Sequence, residues 1–214
     1  MLRFLALGIS LGLLSVRGAV TWSTDQVELR ATSLDPKVTA TYRFKNSGLV
    51  AERVARVDGG CSCTVPKGVG ALVAPGESGV VEIDFLIGDR TGLQERVITV
   101  VTEGATEAVH RLNLSLRIQE VLTVRPRLLL WTKGEAPTSK RTEITVSDGF
   151  EIEFDAPVVV GGGFTAVLER SQGSSTRVLV VTPDSLASVQ NSEIKLTARH
   201  AGREKTLVVF SLVR

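Results

Sequence analysis

The chain reads as all-β, two β-sandwiches in tandem behind an export leader, and three observations lead there. Strand patterns, with apolar and polar residues alternating at period two, dominate the sequence after the leader. No segment of ten residues or more carries a helical period. The alternation also stops and restarts near residue 120, and the 196 residues after the leader suit two domains of ordinary size.

The leader comes first. Arg3 is followed by an apolar run from Phe4 to Leu14, broken only by Gly8, Ser10 and Gly12, and then by Ser15-Val16-Arg17-Gly18. That is the shape of a secretory signal peptide. A spanning helix wants about 18 apolar residues, and Arg17 stops this run well short, so no stable membrane span is expected once the leader is cut. Val16 and Gly18 satisfy the small-residue rule and place the cut after Gly18. The expected product is exported, periplasmic or extracellular, and no cysteine follows the cut as a lipid anchor would require.

Removing residues 1–18 also removes Arg3 and Arg17, leaving 23 basic against 23 acidic residues. With zero net charge and no basic stripe, the chain is not expected to bind nucleic acid or anionic membrane surfaces. Residues 19–120 carry −2 and residues 121–214 carry +2, an asymmetry of the kind that can help two domains or two chains dock. With no methionine after Met1 and few aromatics, the cores must be built from Val, Leu and Ile.

Strands follow in order. Val38, Ala40, Tyr42 and Phe44 alternate with Lys37, Thr39, Thr41, Arg43 and Lys45, a half-buried strand closed by Asn46-Ser47-Gly48. After the turn 74–79, Val81, Ile83 and Phe85 alternate with Glu82 and Asp84. Glu95 to Thr102 is more evenly apolar, as for a strand buried on both faces. Leu112, Leu114, Leu116 and Ile118 oppose Arg111, Asn113, Ser115 and Arg117. Beyond Gln119-Glu120, strands are expected at 122–127, 128–131, 141–146, 150–154, 164–169, 176–182, 192–200 and 204–213. Seven or so short strands per ~95 residues is the signature of an immunoglobulin-like sandwich. The junction has no Gly/Ser or Pro-rich spacer, which predicts a stiff tandem of domains 19–120 and 121–214.

The only cysteines, Cys61 and Cys63, are one residue apart and follow Asp58-Gly59-Gly60, a turn sequence that puts them at a strand start or bulge near one end of the sandwich. Three readings are open. The pair can be a local disulfide staple; a redox-active disulfide; or paired thiolates for a soft metal such as Cu(I) or zinc. In a fully extended strand residues i and i+2 lie near the upper limit for a disulfide, about 6.8 Å between Cα atoms, and a bulge would shorten this. Zinc would need two further ligands, and only His110 and His200 exist, one per domain, each read as a core-edge residue satisfied by backbone. No cofactor is expected.

Other motifs read as structural. Gly161-Gly162-Gly163 lacks the Lys-Ser/Thr and helix of a phosphate loop and suits a bulge or wide turn. Trp22 and Trp131, each near the start of a domain, suit core anchors. Asn113-Leu114-Ser115 matches a short, common glycosylation sequon. No carboxylates are spaced for acid/base work and no serine is flanked as a nucleophile, so an enzyme is not expected.

Phe44-Lys45-Asn46-Ser47-Gly48, then Val54 and Val57 leading to Gly60-Cys61-Ser62-Cys63-Thr64, then Ala74-Pro75-Gly76-Glu77-Ser78-Gly79 and Arg90-Thr91-Gly92 form an ordered set over residues 40–118. This resembles the exported bacterial "fifteen-seventy-three" domain-of-unknown-function family, whose fold is similar to the hydin and major-sperm-protein group of immunoglobulin-like sandwiches. Pro126 to Trp131 resembles the start of the second half in longer members. One departure is Ser62, where the resemblance implies glycine. The resemblance implies fold and export, and no activity comes with it. The expected function is therefore a non-enzymatic interaction or scaffold protein of the cell envelope, its protein partner bound through sandwich edges or loops. The alternative is thiol redox or metal handling by Cys61 and Cys63.

Overall fold

The computed structural model describes residues 19–170 and 175–214; the expected leader and its cut after Gly18 lie outside the described residues. In the first half the strands are β1 (Val20–Trp22), β2 (Gln26–Thr32), β3 (Lys37–Asn46), β4 (Glu52–Asp58), β5 (Thr64–Lys67), β6 (Leu72–Val73), β7 (Ser78–Leu86), β8 (Gly92–Glu103) and β9 (Glu107–Gln119). The second half adds β10 (Leu122–Arg125), β11 (Leu128–Trp131), β12 (Lys140–Val146), β13 (Glu153–Phe154), β14 (Val158–Val160), β15 (Phe164–Arg170), β16 (Thr176–Pro183), β17 (Gln190–His200) and β18 (Arg203–Val213).

The first sandwich apposes the sheet β1-β3-β7-β5 to the sheet β2-β9-β8-β4-β6. Its core is the alternation anticipated from sequence: Ala40, Tyr42 and Phe44 from β3, Val81, Ile83 and Phe85 from β7, and Leu112, Leu114, Leu116 and Ile118 from β9 are all buried. Tyr42 also donates its hydroxyl to the Asn113 carbonyl at 2.8 Å, and burial pushes its phenol up to about 12. Strand β8 departs from expectation. Val97 is half-exposed on the outer face, and continuous burial is confined to Val100, Val101 and Thr102, beside the bulge in β4 at Val54/Arg56.

The second sandwich apposes β10-β12-β16-β15 to β11-β18-β17, with β13 and β14 both along the free side of β17. Connectivity repeats between the halves. In each, the first strand pairs antiparallel in one sheet (β1 with β3, β10 with β12), and the next crosses to the other sheet to run parallel to the last strand (β2 with β9, β11 with β18). Trp131 is buried at the centre of the second core and donates Nε1–H to the Thr138 carbonyl. Trp22 is only half-buried, packed against Phe44. The segment expected as a strand over 150–154 is extended only at β13; β14 and the first-half strands β1, β5 and β6 carried too few alternating residues to stand out, whereas β2, with Val27, Leu29 and Ala31 set against Gln26, Glu28 and Arg30, carries the alternation and is absent from the expected strands. Gly161-Gly162-Gly163 all adopt positive φ in the β14–β15 connection, the wide turn expected of them.

Strand β9 reaches β10 through Glu120 and Val121 alone. The two sandwiches meet here. Leu34, from the β2–β3 turn, is 3% exposed within the core cluster of the second sandwich, and Ser33 Oγ accepts the Val121 amide at 3.0 Å. Asp35 pairs with Arg203 at 3.3 Å and Asp89 with Lys205 at 3.4 Å, acids on the first sandwich and bases on the second, in the sense of the charge asymmetry.

Candidate functional site

The two cysteines sit in the β4–β5 connection and are joined as a disulfide, with Cα atoms 5.2 Å apart, well inside the separation an extended strand would impose. The preceding turn explains the shortening. Asp58 Oδ1 accepts the Gly60 amide at 2.8 Å, and Gly60 takes φ +77°, a region closed to most side chains. Gly59 is pressed on Thr64, where a Cβ would lie 1.9 Å from Oγ1. The Cys61 carbonyl then accepts both the Thr64 amide (3.3 Å) and the Thr64 hydroxyl (2.9 Å), and the Cys63 carbonyl accepts the Leu86 amide at 2.8 Å. Ser62 needs no positive φ, so its departure from glycine leaves no strain.

The two sulfurs differ in setting. Cys63 is 3% exposed and belongs to the first core, whereas Cys61 is partly buried at its margin with Sγ 3.9 Å from Thr64 Oγ1. Beside them the Arg96 guanidinium lies 5.8 Å over the Phe85 ring, and Phe85 pairs with Thr64 across β5 and β7. One residue earlier in β7, Asp84 faces outward yet is buried beneath two lysines. Its Oδ2 meets Lys37 Nζ at 2.5 Å and Lys67 Nζ at 3.0 Å, and its Oδ1 accepts from Thr39 at 2.7 Å. The hydrogen bond from Lys37, then those from Thr39 and Lys67, hold this carboxyl well below the usual carboxylate range. It ties β5, the strand that follows the disulfide, to β7 and β3. The alternation marked Asp84 only as a polar outer position, because the convergence of Lys37 and Lys67 on it depends on strand register.

The histidines are not brought to the cysteines. His110 lies beside Trp22 with Nε2 3.1 Å from Thr102 Oγ1, so its partner is a side chain rather than the expected backbone, and burial lowers its pKa. His200 does meet backbone, with Nδ1 2.7 Å from the Glu151 carbonyl. Both cysteine sulfurs are in the disulfide, and no group of three or more His, Cys, Asp or Glu side chains among the described residues could hold a metal ion. A concavity of about 510 Å³ lies at the β17–β18 hairpin, remote in sequence from the cysteines, and its Arg199 is paired with Asp155 and Glu204. The sequon residue Asn113 stands mid-strand in β9, its carbonyl held by Tyr42.

The immunoglobulin-like sandwich with its Cys-Ser-Cys turn agrees with a family model described as "Protein of unknown function (DUF1573)", which matches residues 20–118. Residues 20–118 are thus similar to the DUF1573 family. No curated protein matches the chain. Among solved structures, a protein of unknown function from Porphyromonas gingivalis is similar at 13% identity over 91% of this chain and 100% of that one, with a TM-score of 0.39. An ASH/PapD-like domain of human CEP192 is similar at 12% identity over 55% of this chain and 99% of that one (TM-score 0.40). The Pseudomonas aeruginosa CupB2 chaperone is similar at 11% identity over 88% and 98% (TM-score 0.35). Among the described residues no helix is long and apolar enough to cross a membrane.

Proposed function

We propose that the chain is an exported, non-enzymatic interaction or scaffold protein of the cell envelope, in which the DUF1573-like sandwich and its companion form a stiff tandem that binds a protein partner along a free sheet edge. The observation that carries this reading is the distribution of edge strands. Most edges are two to four residues long, and β5 carries Pro66, which are the usual means of blunting an edge. Among the described residues two edges escape that rule: β2 and β15, each seven residues long and each paired on one side only. Neither carries proline or lysine, and β15 is set apart by Val167, 59% exposed, where β2 exposes only Gln26, Glu28 and Arg30. An extended segment of a partner, added beside β15, would satisfy the open backbone groups and cover that valine. A disulfide between neighbouring thiols supports an oxidising compartment, in keeping with the leader.

The test is Val167→Lys, which charges the edge without touching the core. A protein that co-purifies with the wild-type chain from the envelope fraction should be lost with this variant and kept with the same change at Val65 on the short edge β5. Retention by the Val167 variant would overturn the reading.

A further inference from the structure

We propose that Cys61 is the reactive sulfur of a reversible disulfide, a thiol-exchange site for a dithiol or protein-thiolate partner, in a loop that keeps its shape when the bond opens. This goes beyond the interaction reading and does not depend on it.

The first argument is that the loop has a frame of its own. The Asp58–Gly60 hydrogen bond, the two bonds from Thr64 to the Cys61 carbonyl and the Leu86 amide on the Cys63 carbonyl together fix both ends of the Cys61–Cys63 segment without the sulfurs. The bond therefore has little left to hold. A ring closed between residues i and i+2 also removes little entropy from the unfolded chain, because that gain grows with loop length.

The second argument is asymmetry. An attacking thiolate must approach in line with the S–S bond and reach the sulfur it attacks. Cys63, 3% exposed among Phe85, Ile87 and the rest of the first core, offers no such approach, while Cys61 lies at the margin with the Thr64 hydroxyl beside its sulfur. Attack therefore falls on Cys61 Sγ. The S–S bond breaks, its electron pair goes to Cys63 Sγ, which takes up a proton, and a mixed disulfide forms between the partner and Cys61. The partner's second thiolate then attacks its own sulfur in that mixed disulfide and releases Cys61, which is protonated in turn. The protein disulfide has gained two electrons and two protons, and the dithiol has become a disulfide. Run backwards, the same two steps reduce a disulfide partner and restore the Cys61–Cys63 bond.

The test uses the whole mature chain and its Cys61→Ser and Cys63→Ser variants, with oxidised glutathione as the probe and intact mass as the readout. Cys61, the thiol left in Cys63→Ser, should form its glutathione adduct at least about tenfold faster than Cys63 does in Cys61→Ser. Equal rates, or a faster Cys63, would overturn the assignment. In the wild type, dithiothreitol without denaturant should reduce the pair, lower Tm by no more than about 6 °C and leave the Thr64 and Leu86 amides protected from hydrogen exchange. A bond that opens only in denaturant, or amides that lose protection when it opens, would show that the disulfide holds the loop and would overturn the proposal.

Discussion

Replacing Leu34 with alanine probes the contact that joins the two sandwiches. The side chain leaves the first sandwich at the β2–β3 turn and is 3% exposed in the core cluster of the second, among residues that include Val121, Leu122 and Trp131. Truncation removes about three buried carbons, worth roughly 2.4 kcal/mol at ~0.8 kcal/mol each, and leaves a void that adds to the cost. The flanking ion pairs are more exposed and contribute about 0–1 kcal/mol apiece, so the leucine dominates the junction. A loss of about 2–4 kcal/mol is expected. Urea unfolding followed by tryptophan fluorescence reads it, with Trp22→Phe and Trp131→Phe backgrounds isolating the second and first sandwich in turn. Wild-type transitions seen by the two tryptophans should coincide, and in Leu34→Ala the Trp131 transition should move to lower urea and separate. Leu49→Ala, at a residue 96% exposed, serves as the control and should stay within about 0.5 kcal/mol of wild type. A Leu34→Ala protein inside that same margin, with coincident transitions, would refute the coupling of the sandwiches through this side chain.

Three further outcomes follow from particular side chains. Asp84→Asn should lower Tm at neutral pH. Because the folded carboxyl titrates below its unfolded value of 3.8, the difference from wild type should be full above about pH 5 and shrink as pH falls below 4 toward the folded pKa; a difference independent of pH would contradict the two-lysine clasp. Tyr42 is the only tyrosine, so tyrosinate absorbance reports it alone: ionisation should be delayed to about pH 12, and stability should decline from pH 10, where the unfolded phenol titrates, up to that value. Ionisation near pH 10 in the folded protein would count against the buried Tyr42–Asn113 bond. Ala201 holds φ +47° in the β17–β18 hairpin, and Ala201→Gly should raise stability by roughly 0.5–1 kcal/mol in urea unfolding, whereas no gain would mean the turn relaxes freely.

The fold was legible wherever one face of a strand is buried, because burial on one side writes a period-two pattern into the residues. Strands β3, β7, β9, β12 and β16–β18 were readable for that reason, and β11 as a compact apolar run. Short edge strands were not: β1, β5, β6 and β14 have two to four residues, too few for a period to register. In β8 the apolar run around Val97 suggested two-sided burial, yet an exposed valine in an outer face looks the same as a buried one in sequence. At the site, adjacency in sequence made the cysteines and their turn readable, down to Gly59 and Gly60. Asp84 and Leu34 were not readable as special positions. One depends on lysines 47 and 17 residues away meeting across three strands, the other on a turn of one sandwich reaching the core of the next.

Photo-crosslinking in intact cells tests the edge-binding role most directly. A photoreactive phenylalanine analogue placed at Val167 on the open edge β15 should give a discrete adduct with one envelope protein, and the same group at Arg43, on the outer face of the interior strand β3, should give none. Adducts at neither position, or equally at both, would contradict a partner strand docked along β15.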